Sequence, residues 1–133
     1  MPSPLTQHFQ QHFEICHAHT PALREQVLRL RYDVYCGEFT YHPVTTCADG
    51  IECDDYDAHA HHLMVIHRKS GTPAGCVRVI TPSNEQPEAP LSIEHHCGHT
   101  FYDSEYHAQR LPRYLLAEVS RLAIHTNFRR RTG

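Results

Sequence analysis

Two otherwise apolar runs carry charges in their middles. Arg78 interrupts "GCVRVI" (75–80), and Glu118 and Arg121 interrupt "AEVSRLAI" (117–124). Short runs rich in β-branched residues read as strands. An ionised side chain buried in a sheet without a partner costs several kcal/mol, so the fold must bring opposite charges onto these strands. The nearest supply is "GIECDDYDAHAHH" (50–62), where Glu52, Asp54, Asp55 and Asp57 fall within six positions and three histidines follow. Period-two alternation puts Glu118 and Ser120 on one face of their strand and Val119, Arg121 and Ala123 on the other, unless a bulge intervenes. On plain alternation, Arg121 and Glu118 serve different surfaces.

The remaining elements can be placed around those strands. "HFEICHAH" (12–19) reads as a short strand. Thr20 then offers an N-cap and Pro21 a first helical position where its missing N–H costs nothing. Leu23, Val27, Leu30 and Val34 form an amphipathic stripe through 22–39, with Gly37 as its stop. Residues 38–60 read as loop, 62–67 and 74–80 as a hairpin, 91–97 as a short helix, and about 117–125 as a last strand. The order of elements predicts an α/β domain occupying 1–133, with helices on the faces of its sheet.

Composition narrows the function. A formal net charge of −3 argues against nucleic-acid binding. No apolar run is long enough to span a membrane, and the first residues lack a secretory pattern, so a cytoplasmic location is expected. The six cysteines are scattered without a C-x-x-C pair, which predicts reduced thiols. Fourteen histidines raise a zinc alternative around Cys47, Cys53, His59, His61 and His62, or around His95, His96, Cys97 and His99. Their spacing fits no common structural zinc motif. A nucleophilic cysteine is disfavoured at Cys36 and Cys53 because acidic neighbours oppose thiolate.

"LRLRYDVYCGEF", "GIECDDYDAHAHHLMVI", "GCVRVITP" and "AEVSRLAI", in that order and spacing, resemble the motif series of the acyl-homoserine-lactone (autoinducer) synthases. The series is more similar still to the related N-acyl amino acid synthases and to the acyltransferases associated with the PEP-CTERM/exosortase system. The resemblance implies a fold like the GCN5-related N-acetyltransferases, with a mixed sheet flanked by helices. It implies transfer of a fatty acyl group from acyl carrier protein or coenzyme A to a primary amine such as an amino acid, with no bound cofactor and no metal.

Carried over by motif, the resemblance implies acceptor-side catalytic roles for Glu52 and Asp54, with Asp57 and Glu118 orienting the arginines. Arg31, Arg78 and Arg121 become substrate-binding residues, and the backbone from Leu122 to Ile124 a candidate oxyanion site. Phe39 or Tyr41 stands where the autoinducer synthases usually have tryptophan, a residue this chain lacks. Arg129, Arg130 and Arg131 resemble the start of a pantetheine-pyrophosphate loop and imply donor-phosphate contacts. On this reading Asp54→Asn and Arg78→Ala in a full-length version abolish transfer without unfolding the protein. The resemblance covers about the N-terminal half of such an enzyme, which leaves open an inactive or truncated domain that binds an acylated partner, or a homodimer formed through a sheet edge. Purely structural pairing of Asp54 and Asp57 with Arg31, Arg78 or Arg121 also stays open.

Overall fold

The computed structural model describes residues 1–41, 47–102, 105 and 107–129. The chain begins with helix α1 (Pro4–His12), which the sequence reading did not foresee. Its start has the same signature as the helix that was foreseen: the Ser3 hydroxyl accepts the Thr6 N–H at 3.2 Å, and Pro4 follows the cap. No residue of α1 is buried. Strand β1 (Phe13–His17) follows directly, with Phe9 of α1 stacked on Phe13.

Helix α2 (Pro21–Tyr32) is capped by Thr20, whose hydroxyl accepts the Leu23 N–H at 3.2 Å. The expected stripe is present, with Val27, Leu30 and Val34 buried. The single helix expected over 22–39 instead changes pitch. Asp33–Glu38 form a wide π-type turn, closed by the Phe39 N–H on the Val34 carbonyl at 2.9 Å. The wider pitch lets Val34 and Cys36 both face inward.

Strands β2 (His61–His67) and β3 (Thr72–Ile80) form the hairpin, turning through Gly71 at φ +67°. The short helix α3 (Ser92–Cys97) precedes the last described strand, β4 (Glu118–Ile124). The sheet has order β1-β2-β3-β4, and each neighbouring pair is antiparallel. One face packs Met64, Cys76 and Ala123 against Ala18, Val27, Leu30 and Val34. The other presents Ile15, Val119, Leu122 and Ile124, all exposed. No helix among the described residues is long and apolar enough to cross a membrane.

Plain alternation fails in β4. Cys76 pairs with Ala123 and Arg78 with Ser120, so Val77 alone faces both Arg121 and Leu122. This is a β-bulge, and Arg121 accommodates it at φ +51°. The extra residue turns Arg121 toward the α2 side, the side that holds Glu118, Ser120 and Ala123, and the alternation expected for Arg121 is corrected accordingly. Gly75 allows β4 to approach closely here, since a Cβ at that position would lie 3.1 Å from the Ala123 carbonyl.

Candidate active site

The segment 52–57 lies across the α2 side of the sheet and meets three arginines from three elements. A short 3-10 turn (Asp55–His59) fixes its shape. Asp54 caps this turn by accepting the Tyr56 N–H at 3.0 Å, and Asp57 reaches back to the Asp54 N–H at 2.8 Å. That reciprocal box points both carboxylates at the strands.

Arg31, from α2, is fully buried. Its Nη1 and Nη2 donate to Asp57 Oδ1 and Oδ2 at 2.6 and 3.0 Å, and its Nε donates to Glu52 Oε2 at 2.5 Å. Arg78, from β3, is equally buried. Its Nη1 donates to Asp54 Oδ1 at 2.6 Å and Asp57 Oδ1 at 3.1 Å, and its Nε to the Ser120 hydroxyl at 3.1 Å. Arg121, re-aimed by the bulge, donates from Nε to Glu52 Oε1 at 3.2 Å and from Nη2 to Asp54 Oδ2 at 2.9 Å. Three carboxylates thus meet three guanidinium groups, and the strand arginines Arg78 and Arg121 are compensated where they are buried.

The network is graded from inside to outside. Asp57 is its hub: Oδ1 accepts from Arg31 and Arg78, and Oδ2 from Arg31 and the Asp54 N–H, so all four acceptor directions are used. Burial pushes the Asp57 carboxyl up, but Arg31, the Asp54 N–H and Arg78 outweigh it and hold it below the usual carboxylate value. For Arg31, burial opposes the charged form, and its bonds to Asp57 and Glu52 overcome that and raise it. Asp54 and Arg121 form the rim, with side chains 25% exposed each. Asp54 Oδ1 accepts two bonds and Oδ2 one, which leaves Oδ2 one acceptor direction among the described residues.

The remaining candidate residues take these positions. Arg31 and Arg78 are fully buried among the carboxylates they hold. Glu118 is buried but accepts the Ile93 N–H at 2.7 Å at the start of α3, where it was expected to orient an arginine. Leu122 and Ile124 project their side chains from the opposite face. The Leu122 carbonyl accepts the Tyr35 hydroxyl at 2.6 Å, which ties the bulge to the wide turn after α2. Phe39 stacks on Tyr41 and lies beneath Arg129, whose guanidinium is 4.6 Å from the ring centroid and also pairs with Glu38. Arg130 and Arg131 lie outside the described residues.

Two members of the site escaped the sequence reading. Ser120 is the hydroxyl partner of Arg78, a role its place beside Arg121 could have suggested. His62 is buried opposite Arg78, with Nε2 3.3 Å from the Asp57 carbonyl oxygen. Burial pushes the His62 imidazole below its ordinary value, and Asp57 only partly opposes this. Its alternation with buried Met64 was the available signal. Among the described residues no group of three or more histidine, cysteine or acidic side chains converges on a possible metal position. Burial, then the bond with Cys47, pushes the Cys36 thiol up to about 12, and burial also raises Cys53. Both shifts disfavour the thiolate.

Beside this network, a cleft of about 550 Å³ opens between Asp55, Tyr56 and His59 on one side and Ile80 and Leu91 on the other.

Residues 30–133 match the family described as an acetyltransferase (GNAT) domain. No curated protein gives a significant match. Among solved structures, the AHL synthase LasI is similar with a TM-score of 0.58 at 17% identity, over 86% of this chain and 54% of that one. TofI, solved in a ternary complex with an inhibitor and MTA, is similar with a TM-score of 0.61 at 21% identity, over 85% of this chain and 56% of that one. The chain therefore spans little more than half the length of either structure.

Proposed function

The chain belongs to the acetyltransferase (GNAT) domain family, and from that premise we propose that it transfers a fatty acyl group from an acyl thioester to a primary amine such as an amino acid. The observation that carries the proposal is the remaining acceptor direction on Asp54 Oδ2 at the partly exposed rim of the network. A carboxylate in that position anchors an ammonium group. The other carboxylates and arginines hold Asp54 in place.

In the proposed reaction the amine loses a proton to water near Asp54, and its nitrogen attacks the thioester carbonyl. The C–N bond forms, the C–S bond breaks, and the departing thiolate is protonated. The bulge leaves one residue of β4 without a ladder partner. A backbone N–H there, around Arg121 and Leu122, is the proposed donor to the oxyanion. The cleft beside Asp55 and Tyr56 is the proposed approach for the amine. Arg129, over Phe39, would meet the anionic part of the donor, whether coenzyme A or acyl carrier protein. The lack of tryptophan favours an exosortase-associated or amino-acid-acylating relative over a maker of autoinducers.

The test is incubation of the chain with long-chain acyl coenzyme A, acyl carrier protein and a pool of amino acids, followed by mass spectrometry of the small molecules. The reading predicts an N-acyl amino acid. A folded chain that yields none with either donor contradicts it and favours a domain that only binds an acylated partner.

A further inference from the structure

We propose that Cys36 and Cys47 are a paired oxidation site, at which the chain forms an internal disulfide by exchange with a small-molecule disulfide. The two thiols come from different parts of the chain: Cys36 from the wide turn after α2, and Cys47 from the segment that leads toward the acid cluster. Their sulfurs are 3.0 Å apart, with the Cys36 S–H donating to Cys47. Both are buried, Cys36 at 1% and Cys47 at 9% exposure. The sulfurs need to close by only about 1 Å to reach bonding distance. None of the six cysteines is in a disulfide, and Cys53 and Cys97 are exposed. The pair is thus chemically distinct from the surface thiols, which react singly.

Proximity decides the product. Cys47, the more accessible of the two, attacks one sulfur of the small disulfide as thiolate and releases one small-molecule thiolate. Cys36 then attacks Cys47 in the mixed disulfide and releases the second. Two protein thiols are oxidised, one small disulfide is reduced to two thiols, and the two protons pass to the released thiolates. The high proton affinity of buried Cys36 slows the second step, whereas the held geometry favours the internal link over a lasting mixed adduct. The bond would tie the end of the wide turn to the chain just ahead of Glu52, whose N–H already donates to the Leu28 carbonyl of α2 at 3.2 Å. Oxidation would then act on one wall of the carboxylate network. The proposal does not depend on acyl transfer.

The test equilibrates the full chain with mixtures of reduced and oxidised glutathione, blocks remaining thiols, digests without reductant and maps the peptides by mass. In the wild type the Cys36–Cys47 linked peptide is expected to exceed mixed glutathione adducts at either residue by about tenfold or more. It should persist in a Cys53→Ser, Cys97→Ser double variant and vanish in Cys47→Ser. Glutathione adducts on Cys53 and Cys97 without a linked peptide, at ratios that modify those exposed thiols fully, would overturn the proposal. The wild-type map decides the matter alone if Cys47→Ser fails to fold.

Discussion

Arg78 shows how the account works at the scale of one residue. Its motif position suggested a substrate contact, and truncation was expected to leave the fold intact. The structure instead buries its guanidinium completely against Asp54, Asp57 and Ser120. Arg78→Ala removes one guanidinium partner from each of Asp54 and Asp57, which keep Arg121 and Arg31, and the expected loss for those charged hydrogen bonds is about 1.5–3 kcal/mol. Urea unfolding monitored by circular dichroism checks this; a midpoint equal to wild type would contradict it. Asp57 and His62 set the acid response. Both are held below their ordinary values of 3.8 and 6.5, so both contribute stability above those values that is lost as pH falls through their lower folded-state values. Thermal melts should therefore show a first decline below pH 6.5 and a second below pH 3.8. His62→Gln should remove the first decline and leave the second.

Among the elements, α2 was legible in the sequence because a cap, a proline and a stripe agree on it. Its cap makes a direct prediction: Thr20→Ala should cost about 1 kcal/mol, read as a lower urea midpoint with an unchanged slope. The α1 helix starts the same way, with Ser3-Pro4 in the place of Thr20-Pro21, but lacks a buried stripe, so hydrophobic periodicity gave no notice of it. The wide turn at Asp33–Glu38 was illegible for another reason. Whether a helix opens to the π pitch depends on what its last residues pack against, here Val34 and Cys36 in the interior and the Tyr35 hydroxyl on the Leu122 carbonyl. The bulge in β4 is similar. Sequence alternation told which residues were charged, but only pairing with β3 decides on which face Arg121 ends.

Over the whole molecule, the need for charge compensation on the strands correctly pointed to the acid cluster, since the demand arises from burial itself. It could not grade the partners, because exposure depends on how α2, β3 and the 3-10 turn close around each side chain. The face opposite α2 has its own consequence. Ile15, Val119, Leu122 and Ile124 expose apolar surface there, so the folded chain should bind an apolar fluorescent dye such as ANS. Val119→Lys with Leu122→Lys should sharply reduce that signal at an unchanged melting temperature; undiminished binding would place the dye elsewhere. The central claim is that the arginine–carboxylate network presents Asp54, at its rim, as the anchor for an amine. Steady-state kinetics of Asp54→Asn against amine concentration test it most directly. Loss of one charge-assisted bond of about 1.5–3 kcal/mol predicts a fall in kcat/KM for the amine of roughly 10- to 150-fold. The KM for the acyl thioester should stay near wild type. An unchanged kcat/KM for the amine in a folded Asp54→Asn variant would contradict the account.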